Sequence, residues 1–310
     1  MLIEPRTVKL TTRTGVEVRR TVPHAKLKMI GAWCFVDHFG PTEQTDGMVV
    51  AAHPHTGLQT ATWLFEGHIE HRDSIGSVQL ITPGQLNLMT AGHGISHSEI
   101  SLADTELLHA VQLWIALPKG SIDVAPAFEH QSTLPKFSLD QSGQTKPFDI
   151  DEPASATVIA GEFMGHRAHT KIFSPLLGVE LRLKAGTSIE LPLNPKFEHG
   201  FLAVQGEVRV NQTEMPTSGL EFIEAGANSA IIAAGEEDAI LLLLGGEPFG
   251  EKILMWWNFI GRTHEDIVSA REQWNAHESV SQGGRFGQFA DNVGGWLPAP
   301  ELPNVTLNPR

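Results

Sequence analysis

The chain has 310 residues, 41% of them apolar and 19% charged, which is long enough for two domains that each bury a core. No apolar run approaches the roughly 20 residues that span a bilayer, and the opening MLIEPRTVKL lacks the basic-then-apolar layout of a signal peptide, so a cytoplasmic protein is expected. A formal net charge of −14 repels a phosphate backbone and speaks against direct nucleic-acid binding.

In chain order, the first half reads as short strands punctuated by Gly, Pro, Asn and Asp: Val16 to Val22, Gln59 to Phe65, Ser77 to Ile81, Leu86 to Met89 and Leu108 to Ala116. The single Cys34 lies among Ala32, Trp33, Phe35 and Val36, which predicts a buried, inert thiol. A polar stretch from Ser138 to Pro153 reads as a linker. Beyond it the strands resume at Gly178 to Leu183, Phe201 to Gln205, Glu207 to Val210 and Ala239 to Leu244.

The two halves look like weak copies. Trp63 to Gly67 and Pro83 to Gly92 in the first correspond to Ala203 to Gly206 and Ser218 to Gly226 in the second, so a duplicated β-barrel is expected. The domains predicted are 1–138, a linker 139–153, a second barrel 154–262 and a tail 263–310. In the tail, Thr263 and Asp266 resemble a capping box opening a helix through about Ala276, with Ile267, Arg271 and Trp274 on one face. The glycine-rich run Gln282 to Gly287 has no preceding strand and no following Lys-Ser/Thr, so it reads as a surface-wrapping tail and not a phosphate loop.

The chemistry is concentrated in two short pairs, His53-Pro54-His55 and His97-Ser98-Glu99. Residues i and i+2 share one face of a strand, so two neighbouring strands would bring three imidazoles and one carboxylate together. Pro54 withholds an N–H from the ladder, which puts the first pair at a strand start or an edge. Four such ligands on an ion that accepts five or six leave open positions for water, O₂ or substrate. Iron(II) suits that set best; manganese, nickel, copper and zinc are the other candidates. In the second half Pro192 and Asn194 stand opposite His53 and His55, and Ala230 to Ala233 stand opposite His97 and Glu99, so only the first half should bind metal.

The run Phe35 to Pro41, the segment His53 to Gly57, Leu64 to Gly67 and Met89 to Glu99, continued by Pro248-Phe249 and Trp257 to Phe259, together resemble the pirin family of two-barrel cupins. The resemblance implies a mainly β bicupin, two antiparallel jelly-roll barrels with a C-terminal helix. The N-terminal barrel would hold one metal through His53, His55, His97 and Glu99, and the C-terminal barrel would be metal-free. Bacterial members are associated with quercetin 2,3-dioxygenase activity, eukaryotic members with iron-dependent transcriptional co-regulation. Many members carry Glu four residues after the second motif histidine, where this chain has Gln59, leaving Glu99 as the only carboxylate in the motif.

His93, flanked by glycines, reads as a loop histidine without direct chemistry, and Asp37 and His38 as a structural turn or a pair that orients a ligand. Trp63, Phe65 and Met89 read as core. The function expected is opening of a flavonol heterocycle, with O₂ and a small aromatic molecule as partners and Glu99 as ligand and base. The alternative is a non-enzymatic iron-binding redox sensor that binds a protein partner. A monomer is expected.

Overall fold

The computed structural model describes residues 1–9, 17–43, 48–102, 107–276, 284–288 and 295–310. Almost all regular structure among them is β, with one α-helix, His264–Asn275. No described helix is long and apolar enough to cross a membrane.

The chain forms two compact units interleaved in sequence. One gathers Met1–Val8, Arg19–His38 and Gln131–Phe249, the other Lys9–Val18, Phe39–His130 and Gly250–Arg310. In the second of these, strands Val49–His55, Ile95–Ser101, Ile69–Asp73 and Val78–Ile81 form a four-stranded sheet in that order. Strands Ala127–Gln131, Leu86–Thr90, Leu58–Glu66 and Leu107–Ala116 line up in a larger sheet.

The other unit repeats this plan. Ser188–Pro192, Ser229–Ala234, Val208–Val210 and Thr213–Met215 make its four-stranded sheet, and Leu220–Ile223, Glu198–Gln205, Ala239–Gly246 and Leu176–Leu183 run side by side in its larger one. The duplication read from the glycines is therefore a repeat of strand order. The mainly β, two-domain jelly-roll fold expected from the sequence is present, each half built from a pair of open sheets that bury one face of their strands.

Smaller differences have local causes. The polar stretch from Ser138 contains the strand Thr145–Lys146, which pairs with Lys136–Leu139, and the intervening turn is held by Asp140 Oδ1, which accepts the backbone N–H groups of Ser142 and Gln144. Asp37 and His38 lie within the strand Trp33–Glu43, not a turn. The capping box of Thr263 and Asp266 is present, but the buried helix face is Ile267, Ala270 and Trp274, with Arg271 turned outward to the Pro300 carbonyl. Those three pack with Ala52, Leu254, Phe259, Phe286 and Ala299.

Candidate metal centre

The central strand of the four-stranded sheet, Ile95–Ser101, positions the site. On one side His97 pairs with His53 and Ile95 with His55; on the other, His97 faces Asp73 and Glu99 faces His71. Because side chains alternate along a strand, His53, His55, His97, Glu99, His71 and Asp73 all point to one face. A register shift between His97 and Glu99 sets Glu99 against Val50, so the Val49–His55 strand carries an extra residue there. This strand is an edge, as Pro54 required. The free backbone groups of Ala52 are taken by a later segment, with Ala52 N–H on the Gly295 carbonyl at 3.1 Å and Leu297 N–H on the Ala52 carbonyl at 2.9 Å.

Two glycines fix the chain as it leaves the strand Val49–His55 and before it enters Ile95–Ser101. Gly57, at φ +71°, and Gly92, at φ +53°, are joined by a 2.8 Å hydrogen bond from Gly57 N–H to the Gly92 carbonyl. A Cβ on Gly92 would lie 1.9 Å from the Val124 carbonyl oxygen, and one on Gly57 would lie 2.3 Å from that of Ile260, so neither position tolerates a side chain.

Donor atoms of His53, His55 and His97 lie within 4.8 Å of one another, and all three residues are buried. His53 Nδ1–H donates to the Ala51 carbonyl at 2.9 Å, which leaves its Nε2 lone pair free. The Nε2 atoms of His55 and His97 are 3.1 Å apart. Two nitrogens bound at about 2.1 Å and at right angles to one ion would stand about 3.0 Å apart, so the spacing fits a shared cation.

Burial lowers the His53 pKa to about 4 and drives those of His55 and His97 well below the ordinary value, so all three are neutral at pH 7 with lone pairs to offer. Glu99 belongs to a second, overlapping group with His71 and His97. Burial raises the pKa of its carboxyl, opposed by His71 and by a 3.0 Å hydrogen bond donated by Thr62 Oγ1. Trp114 meets the His55 ring edge-on at 5.2 Å and supplies an apolar wall.

Of the residues singled out in the sequence, His53, His55, His97 and Glu99 converge on this face. Gln59 is buried and turned away, its amide donating to Thr90 Oγ1 at 2.9 Å. His93 is exposed and serves through its backbone, its carbonyl accepting from Arg285 Nε at 2.6 Å. His38 Nδ1 lies 2.6 Å from Ser218 Oγ, and Asp37 takes a two-pronged contact from Arg20. Cys34, Trp63, Phe65 and Met89 are buried, as expected. Gln282 and Gly283 of the glycine-rich run lie outside the described residues, but Phe286 is buried and its carbonyl accepts from Ser96 Oγ at 3.0 Å.

Sequence reasoning missed His71, Asp73 and Thr62. The available signal was the alternation of Ile69-Glu70-His71-Arg72-Asp73, which turns His71 and Asp73 to the same side as Ile69. Among the described residues no group of three or more metal-ligating side chains occurs elsewhere, so the second copy of the sheet carries no such set.

Two family models match the chain, one described as Pirin over residues 15–115 and one as Pirin C-terminal cupin domain over residues 178–279. A Pseudomonas aeruginosa protein named "Putative quercetin 2,3-dioxygenase" is 41% identical over 291 residues, covering 93% of this chain and 87% of its own length. A "Pirin-like protein" of Caulobacter vibrioides is 34% identical over 299 residues, 92% of this chain and 94% of its own. A crystal structure of quercetin 2,3-dioxygenase from Acinetobacter baumannii matches with a TM-score of 0.89 and 41% identity over 98% of this chain and 96% of that one.

Proposed function

We propose, from the premise that this chain belongs to the pirin family, that it is a metal-dependent dioxygenase that opens the heterocycle of a flavonol such as quercetin. The observation that carries the reading is the convergence of three buried neutral imidazoles, with the Nε2 atoms of two of them 3.1 Å apart, beside a buried carboxylate. Burying such a set costs solvation, which a cation shared by the lone pairs would offset. His53, His55, His97 and Glu99 would hold the ion, and iron(II) is our assignment from the donor types. When bound, the ion supplies Lewis acidity toward an oxyanion and a template for O₂.

The chain's own groups account for the rest. The imidazoles are fixed before substrate arrives, so no reorganisation is needed at the moment of reaction. Glu99 is the base that accepts the proton of the flavonol 3-hydroxyl, and Thr62 Oγ1, 3.0 Å from its Oε1, holds it in place. Trp114 gives an aromatic substrate an apolar surface.

The test follows quercetin absorbance under air and under argon with iron-loaded protein, and measures carbon monoxide in the headspace. Air-dependent loss with carbon monoxide release is the expected result. No air-dependent loss at verified metal occupancy would replace this reading with that of an iron-binding redox sensor.

A further inference from the structure

We propose that Asp73 and His71 form a chain of fixed hydrogen bonds that sets the tautomer of His97, making His71 a positioning residue for the metal centre. The purpose of this chain rests on the metal reading above; its geometry does not.

Asp73 is the fixed end. Its Oδ1 accepts the backbone N–H groups of Ile75 at 3.0 Å and Ser77 at 2.9 Å, which locks the carboxylate in the turn after its strand. Its other oxygen, Oδ2, lies 3.1 Å from His71 Nε2. In its neutral form, the one in which it can accept as well as donate, the His71 imidazole carries one N–H, and beside a carboxylate that proton belongs on the facing nitrogen. His71 Nε2–H therefore donates to Asp73, and His71 Nδ1 is left as an acceptor.

That acceptor faces His97 Nδ1 at 3.3 Å. Two bare nitrogens at this distance would repel, so His97 carries its proton on Nδ1 and donates it to His71. His97 Nε2 is then the nitrogen with the free lone pair, and it is the atom that meets His55 Nε2. Phe128, stacked on His71 at 4.5 Å and 18°, holds the ring plane. The same His71 stands directly across the strands from Glu99, so it lies beside both ligands of the central strand.

Two substitutions separate this role from simple packing. His71→Phe keeps a ring against Phe128 but removes the acceptor. Asp73→Asn keeps an oxygen for the two amides but presents an N–H to His71, which moves the His71 proton to Nδ1 and forces the His97 proton onto Nε2, where it blocks the metal.

Ring ¹⁵N NMR on the metal-free protein should show His97 protonated at Nδ1 in the wild type and at Nε2 in Asp73→Asn. Nickel(II) affinity, measured by chelator competition, should fall about 10- to 100-fold in each variant, and the double variant should be no worse than the weaker single one. Melting curves identify variants that fold, and Asp73→Asn alone decides if His71→Phe does not.

Unchanged nickel affinity in folded variants, or a wild-type His97 protonated at Nε2, would overturn the proposal. So would a second equivalent of nickel that vanishes with His71→Phe, since His71 would then be a ligand itself. If the wild type binds no nickel, the metal reading fails, and the NMR result still decides the tautomer chain.

Discussion

Thr62 Oγ1 stands 3.0 Å from Glu99 Oε1 and 3.0 Å from Gln112 Oε1, although a hydroxyl has one proton to give. With the Gln112 amide turned to present its NH₂, Thr62 accepts from Gln112 and donates to Glu99, and all three groups are satisfied. Thr62→Val should then free the carboxylate from its support. Quercetin turnover should fall about tenfold, with metal content unchanged by elemental analysis; equal losses of metal and turnover would instead make Thr62 a determinant of binding.

One metal ion per chain is expected, since the four-stranded sheet of the other unit holds no comparable set among the described residues. His97→Ala should strip most of it, because a ligand that both groups share is removed. Elemental analysis of protein purified without added metal checks this; two tightly held equivalents, or full occupancy in the variant, would contradict it.

Glu99→Gln should lose activity far more than metal. An amide still offers an oxygen but cannot accept the hydroxyl proton, so kcat should drop by about 100-fold or more while occupancy falls severalfold at most. Activity intact in this variant would remove Glu99 as the base and leave the rest of the reading standing.

Acid should weaken the fold through His199. This residue is fully buried, neither ring nitrogen has a hydrogen-bond partner, and burial lowers its pKa to about 4. The folded-state pKa lies below the unfolded value, so between about pH 6.5 and pH 4 the unfolded chain binds the extra proton. Stability is therefore full above pH 6.5 and declines as the pH falls through that window, by an amount on the order of 3 kcal/mol. Melting temperatures of wild type and His199→Leu between pH 7 and pH 5 test this, and the variant should show the shallower decline.

The parts of the fold legible in the sequence were those written in local pattern. Leu86–Thr90, Leu107–Ala116 and Val78–Ile81 lie within a residue of the expected strands because apolar runs between glycines and prolines need no distant information. That His53, His55, His97 and Glu99 share one face of a sheet was legible for the same reason, as pairs at spacing two. His71 was not, since its partners Glu99 and His97 reach it only through the register of a neighbouring strand. The pairing of Leu2–Ile3 with Leu220–Ile223 was equally silent, because two residues form no pattern. Alternation shows that a strand has a buried face, but which sheet it joins is set by register with strands distant in the chain.

The two hydrogen bonds that Ala52 makes with Gly295 and Leu297 also impose an order in time. A ribosome releases His53, His55 and His97 well before it reaches Gly295 to Leu297, which cover the outer side of the edge strand that carries the first two. Until then the strand that carries His53 and His55 is paired on one flank only, and the N–H and C=O of the residue next to His53 face water. At the proposed metal centre, chelation would thus be separated from synthesis of the histidines: the finished geometry awaits Gly295 to Leu297.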